Sequence, residues 1–230
     1  MSAVCLTLLG QPGLNVVVAA GGLPQAYGLA PKDAALLAIL ALDGPTGRNR
    51  LCAWLWPNTA TTQARGNLRQ RLLVLRRRAG QNVVVGSDII ALAEGVESNQ
   101  HEALLLLRRD PAARINPLLG SLEFAGCEDL EQWLHTTRQH WRDSCLRALQ
   151  TTATALELQQ RYDAALPYAQ RLVREEPLDE GHHQLLMRVL VAMGNHGAAV
   201  AAFRRVSLLF MAELGIEPSS QTAALVGHSP

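Results

Sequence analysis

Residues 61–79 constrain this chain more than any other stretch. Ala64, Leu68, Leu72, Leu75 and Ala79 follow one another at spacings of four and three, which places them on one stripe of a helix turning about 100° per residue. The opposite side carries Gln63, Gly66, Gln70, Leu73 and Arg77, flanked by Thr62, Asn67, Arg69 and Val74, with Arg65, Arg71, Arg76 and Arg78 along the borders. Thr59 or Thr61 is the expected cap at the start, and Gly80 the expected end. Such a rod has one packing face, and its other faces are lined by guanidinium and amide groups.

The charge pattern around this helix is one-sided. Eight arginines and no acidic residue lie between Asp43 and Asp88. Solvated helices normally mix signs to gain i,i+4 pairs; a stretch without acids repels itself until an anion relieves it, and nucleic acid is the commonest polyanion. The net charge of +1 hides this, because residues 1–98 hold nine basic and five acidic side chains while residues 99–230 hold twelve and fifteen. Amides beside arginines also suit base edges, since Asn or Gln pairs with adenine through two atoms and Arg with guanine. Gly66, in mid-helix, either permits close approach of the backbone to a ligand or carries no meaning.

Upstream, Val4–Leu9 and Leu14–Ala19 read as short strands broken by Gly10, Pro12 and Gly13, with Gly21, Gly22, Pro24 and Gly28 as turn residues. Pro31 opens a helix through Leu42 that Gly44-Pro45 stops, and a shorter one fits Arg48 to Trp56 before Pro57. Downstream, Asn82–Val85 and Asp88–Leu92 are β-rich runs around Gly86-Ser87, a two-residue hairpin signal. The hairpin either closes a sheet or serves as a wing with Ser87 at its tip. Strands, three helices and a hairpin, in that order, predict a winged helix-turn-helix over residues 1–98.

From Asn99 onward the chain reads as helical, interrupted near Pro111, Pro117, Gly120 and Gly126. Tyr162-Asp163-Ala164-Ala165 and His196-Gly197-Ala198-Ala199 lie 34 residues apart, with small Ala at the crossing and Pro177 between. That period is the tetratricopeptide one, and two to three units are expected in residues 99–230. The fold class is therefore mainly α, a winged helix-turn-helix followed by an all-α tetratricopeptide-like domain.

Enzymatic readings find little support. The single lysine, Lys32, follows Pro31, which excludes a phosphate-binding loop of the Gly-x-x-x-x-Gly-Lys type. Cys5, Cys52, Cys127 and Cys145 are scattered and read as buried thiols of a cytosolic protein. His182-His183 read as a solvated or partly buried pair without a carboxylate at metal spacing, and Glu175, Glu176, Asp179 and Glu180 around Pro177 as capping and solvation. Trp54, Trp56, Trp133 and Trp141 read as core or as packing between domains. No catalytic set, metal or cofactor is expected, nor a signal peptide, nor an apolar run of the roughly 18–20 residues needed to span a membrane.

Two groups of motifs resemble a known family. Leu36-Leu37-Ala38, Arg50-Leu51 to Leu55-Trp56-Pro57, Ala64-Arg65, Asn67-Leu68-Arg69-Gln70 and Leu75-Arg76-Arg77 resemble the winged-helix domain of SARP-type (antibiotic regulatory protein) transcriptional activators. Glu175-Glu176-Pro177-Leu178-Asp179-Glu180, Leu186-Met187, Ala192-Met193-Gly194 and Glu213-Leu214-Gly215-Ile216-Glu217-Pro218 resemble their bacterial transcriptional activator domain. The resemblance implies an OmpR-type winged helix whose third helix enters the major groove of double-stranded DNA at promoter repeats. It implies a helical domain for dimerisation or contact with RNA polymerase, in the bacterial cytoplasm. Carried over by position, Arg65, Asn67, Arg69, Gln70, Arg71 and Arg77 face DNA, and Thr62, Gln63 and Ser87 complete the expected surface. Many relatives continue into nucleotide-binding or sensor domains, and a chain ending at Pro230 is expected to lack that switch. The competing reading is a helical-repeat scaffold for protein partners with little DNA binding.

Overall fold

The computed structural model describes residues 3–17 and 25–227; the expected strand residues beyond Val17 to Ala19 and the turn residues Gly21, Gly22 and Pro24 lie outside these. Three strands, β1 (Ala3–Thr7), β2 (Gly13–Val17) and β3 (Gln25–Gly28), precede α1 (Pro31–Leu42), a two-residue strand β4 (Thr46–Gly47), α2 (Arg48–Leu55) and α3 (Thr61–Ala79). Then come β5 (Val84–Val85), β6 (Ile89–Leu92) and β7 (Val96–Ser98). The sheet order is β3-β2-β1-β7, with β1–β2 and β2–β3 antiparallel and β7 parallel to β1. A second sheet, β4-β6-β5, carries the hairpin. The chain is thus mainly α with a winged helix-turn-helix at its start, as the element order predicts. β3, β4 and β7 escape a sequence reading because each is four residues or fewer, too short for an alternating pattern to show.

Helix α1 begins with Pro31 at a position where a missing N–H costs nothing. Residues 33–40 are all buried, so this helix is apolar on every side except for one carboxylate, Asp33. Helix α2 packs on both α1 and α3. Leu51, Leu55, Leu68, Leu75 and Ile90 are fully buried around that junction, each worth roughly 2 kcal/mol of transfer free energy. Helix α3 starts without a side-chain cap: Ala60 stands at the N-cap, not Thr59 or Thr61. It ends on Gly80 at φ 67°, the left-handed conformation glycine adopts without strain.

Residues 3–17, 25–103 and 115–142 form one compact unit, and residues 104–114 and 143–227 form the other. This boundary runs differently from a single cut after Ser98. Leu119 N–H donates to the Leu8 carbonyl and Gly10 N–H to that of Pro117, which lays residues 117–119 against the end of β1. Arg138 then clamps the same segment, donating to the carbonyls of Leu118, Gly120 and Leu122 at 2.8–3.0 Å. Trp141 donates to Asn116 at 3.0 Å. Trp133 packs 6.4 Å from Trp54 and donates to Asp43, so two of the tryptophans meet within the first unit.

The second unit draws on α4 (Gln100–Arg109), α5 (Glu128–Leu158), α6 (Tyr162–Glu175), α7 (Glu180–Ala192), α8 (His196–Leu214) and α9 (Ser220–Ala224). Helix α4 supplies its residues from Leu104 onward and α5 those from Asp143. Helices α6 and α8 start 34 residues apart, at Tyr162 and His196, and Ala165 and Ala199 are both fully buried. The repeat period is therefore real: α6–α7 form a complete pair and α8 opens a second, followed by the short α9. Asp179, Asn195 and Ser219 cap α7, α8 and α9 through their side-chain oxygens. His182 and His183 are both buried, not solvated. Glu180 does more than cap locally, accepting hydrogen bonds from Ser219 and Thr222 across 39 residues or more.

Candidate nucleic-acid interface

Burial of Ala64, Leu68, Leu75 and Ala79 fixes how α3 is rotated on the core. That rotation leaves Thr62, Gln63, Arg65, Gly66, Arg69, Gln70, Leu73, Arg76, Arg77 and Arg78 exposed, with Asn67 and Arg71 half-buried. The absence of a side-chain cap also leaves the N–H groups of the first turn, at Thr61, Thr62 and Gln63, aimed out of the helix end without an internal acceptor.

The hairpin stands beside this face. Val84 pairs with Leu92 and Val85 with Ala91, so the connection is wider than the two-residue turn that Gly86-Ser87 predicts. Ile89 and Ile90 are drawn aside to pair with β4, at Gly47 and Thr46 respectively. Gly86, at φ 101°, has the Ile89 carbonyl oxygen 2.0 Å from where a Cβ would sit, so no other residue fits this corner. Ser87 lies exposed at the tip. Arg48 staples the tip to the start of α2: its backbone N–H donates to the Asp88 carbonyl at 2.7 Å and its Nε to that of Ser87. Between α3 and the tip lies a groove of about 480 Å³ lined by Arg48, Thr62, Arg65, Gly66, Arg69, Leu72, Ser87 and Asp88. Three guanidinium groups against one carboxylate make it cationic.

The arginines of α3 fall into two sets. Arg65 donates to Asn49 Oδ1 at 2.9 Å and Arg78 to the Gly28 carbonyl at 3.1 Å. Arg71 turns inward, its Nη1 lying 3.6 Å from Oδ2 of the buried Asp33. Burial pushes the Asp33 carboxyl above its usual range, and the charges of Arg71 and Arg78 draw it part of the way back. Arg69, Arg76 and Arg77, by contrast, make no hydrogen bond or ion pair among the described residues, and the same holds for Thr62, Gln63, Asn67 and Gln70.

Of the residues expected at the surface, Thr62, Gln63, Arg65, Arg69, Gln70, Arg77 and Ser87 are exposed around the groove or along the outer face of α3, and Asn67 borders them. Arg71, half-buried, differs from these in holding its guanidinium 3.6 Å from the buried Asp33 carboxylate. Arg48 is the residue that sequence reasoning passes over. The signal for its role was faint, a lone arginine directly after Gly47 at a helix start. Gly66 lines the groove with nothing within 4 Å of a Cβ position, so its lack of a side chain serves no internal contact.

The sequence of residues 102–228 matches a family described as the bacterial transcriptional activator domain. Among solved structures, Mycobacterium tuberculosis EmbR in complex with low affinity phosphopeptide superposes with a TM-score of 0.71 at 21% identity. The match covers 99% of this chain and 65% of that one, so the present chain spans about two-thirds of that chain's length. At this identity the likeness concerns the fold. No curated protein matches the sequence significantly.

Proposed function

Since this chain belongs to the bacterial transcriptional activator domain family, in the SARP-type arrangement with a winged helix-turn-helix ahead of that domain, we propose that it activates transcription by binding promoter DNA with α3 in the major groove. The observation that carries this reading is the set of side chains left without partners among the described residues: Arg69, Arg76, Arg77, Gln63 and Gln70, all exposed on one helix. We assign Arg69 and Gln70 to base edges, because Arg can meet guanine and Gln adenine through two atoms. Arg76 and Arg77, one turn or more further along, suit phosphates. The uncapped first turn of α3 supplies backbone donors to another phosphate, and the tip at Ser87 follows the neighbouring backbone ridge. Affinity then comes mostly from phosphate neutralisation and specificity from a few base contacts.

In this reading the helical-repeat unit holds a second copy on a direct repeat or contacts RNA polymerase, and the protein works in the cytoplasm. Among the described residues no helix is long and apolar enough to cross a membrane. No set of acid, base and nucleophile gathers around the groove, and we assign the chain no catalytic role.

The test is retention of the full chain on duplex DNA or heparin as salt is raised. Binding at low salt that falls steeply with added salt, with a log–log slope near the number of phosphates neutralised, supports the reading. A chain that passes straight through at low salt and instead captures a polypeptide partner overturns it in favour of a helical-repeat scaffold.

A further inference from the structure

The turn between α6 and α7 gathers three groups remote in function from the cationic groove. Glu176 is the residue on which α6 ends, Asp179 is the N-cap of α7, and His182 lies one turn into α7. His182 Nδ1 stands 4.0 Å from Glu176 Oε2 and 4.0 Å from Asp179 Oδ1. One donor atom from each residue lies within 4.8 Å of the other two, and this is the only such trio among the described residues. The expectation that the histidine pair lacks nearby carboxylates is thereby corrected: a turn at Pro177 folds both acids back over the imidazole, which linear spacing does not reveal.

His182 is 3% exposed, and its Nδ1 has no hydrogen-bond partner. A buried polar atom without a partner costs about 1–3 kcal/mol, and here it is aimed at two carboxylates that remain partly open to solvent, at 39% and 46% side-chain exposure. Burial closes one side of the trio and solvent gives access on the other. The neighbouring His183 has a separate duty, its Nε2 lying 2.8 Å from the Pro177 carbonyl oxygen, which holds the turn in place. Asp179 is oriented too, since the His182 N–H donates to its Oδ1 at 3.1 Å.

We propose that Glu176, Asp179 and His182 form a binding site for a divalent transition-metal ion, Zn²⁺ being the best fit. One imidazole nitrogen with two carboxylate oxygens suits zinc and its first-row neighbours, whereas calcium and magnesium favour oxygen alone. Ligands at about 2.0–2.2 Å from zinc in tetrahedral geometry are roughly 3.3–3.6 Å from one another. Closing from 4.0 Å at the imidazole, and from at most 4.8 Å between the carboxylates, therefore asks for shifts of about 1 Å from two solvent-exposed side chains. Water fills the fourth position. The ion ties the end of α6 to the first turn of α7 and so stiffens the helical-repeat unit; it plays no part in contact with DNA.

Calorimetric titration of the chelator-treated full chain with Zn²⁺, repeated with Co²⁺ by visible absorption, tests this. The expected result is one equivalent bound, with affinity at least tenfold weaker in Glu176→Gln and in Asp179→Asn. Asn caps a helix as well as Asp does, so the second variant keeps the turn while removing the charged ligand. Zn²⁺ should also raise the thermal midpoint of the wild type and leave that of the double variant unmoved. Absence of stoichiometric binding, or equal binding by wild type and both carboxylate variants, overturns the site.

Discussion

Arginine is used in opposite ways in the two units of this chain. In the helical-repeat unit, Arg171 is buried, its Nη1 donating to the carbonyls of Pro111 and Ala113 and its Nε lying 3.5 Å from Glu175. Arg188 meets Glu157 through two parallel hydrogen bonds at 2.7 and 3.0 Å. On α3, Arg69, Arg76 and Arg77 meet no partner among the described residues. A guanidinium that is buried and saturated fixes structure, because removing it strands its partners. One that is exposed and unanswered on an acid-free helix raises the free energy of the unliganded state through repulsion and lowers that of a complex with an anion. Charge alone does not separate the two uses; partners do.

The largest effect that would test this division is at Arg171. Its replacement by alanine leaves two carbonyls without donors in a dry environment and should destabilise the helical-repeat unit by about 3 kcal/mol or more. Thermal or urea unfolding followed by circular dichroism measures it, while the DNA affinity of the folded fraction should stay within twofold. A variant that unfolds normally yet loses DNA binding breaks the comparison, since Arg171 would then be acting as a ligand-facing group.

On the other side of the division, Arg69→Ala and Arg77→Ala should each weaken DNA binding by about 1–3 kcal/mol where the side chain meets a base. A phosphate contact shows instead as a salt slope shallower by roughly one per residue lost. Stability should move by less than about 0.5 kcal/mol, as for surface positions generally. Arg65→Ala sharpens the picture, because Arg65 is already tethered to Asn49 and should fall between Arg69 and Arg171 in its balance of affinity against stability. Gel-shift affinities unchanged in both the Arg69 and the Arg77 variants remove α3 from the interface.

How much of this was legible in the sequence follows from the range of the interactions concerned. Helix α3 was readable because its stripe of Ala64, Leu68 and Leu75 and its lack of acids are both local patterns. So was the repeat in the second half, because Ala165 and Ala199 are spaced by the unit itself. The hairpin was readable as a hairpin but not in its register, which β4 decides by drawing Ile89 and Ile90 aside across some 40 residues of chain. The attachment of residues 115–142 to the rest of the first unit rests on Leu119 N–H donating to the Leu8 carbonyl, Gly10 N–H to that of Pro117 and Trp133 to Asp43, contacts across some 90 residues or more of chain that carry no sequence signature. In the site, exposure of Thr62, Gln63, Arg69, Gln70 and Arg77 followed from helix geometry. The inward approach of Arg71 to Asp33 did not, since it depends on where α1 places a single carboxylate.

That carboxylate gives the smallest and most discriminating effect. Asp33 is 1% exposed, neither of its oxygens has a hydrogen-bond partner, and Arg71 approaches only to 3.6 Å. Because burial raises its pKa in the folded state despite Arg71 and Arg78, the native fold holds the Asp33 proton more tightly than the unfolded chain does. Its contribution to stability is therefore fully present below about pH 4, where the unfolded carboxyl titrates, and is lost as pH rises through the higher folded value. Asp33→Asn, neutral and of the same shape, should remove that pH dependence and raise stability at neutral pH, because it no longer ionises in a buried place. Arg71 in that variant is released toward solvent, so affinity for DNA should hold or rise, whereas Arg71→Ala in the wild type should leave affinity nearly unchanged. If Arg71→Ala instead weakens binding as much as Arg69→Ala, the inward pairing yields to DNA when the complex forms, and Arg71 belongs with the DNA-facing set as its position on α3 first predicted.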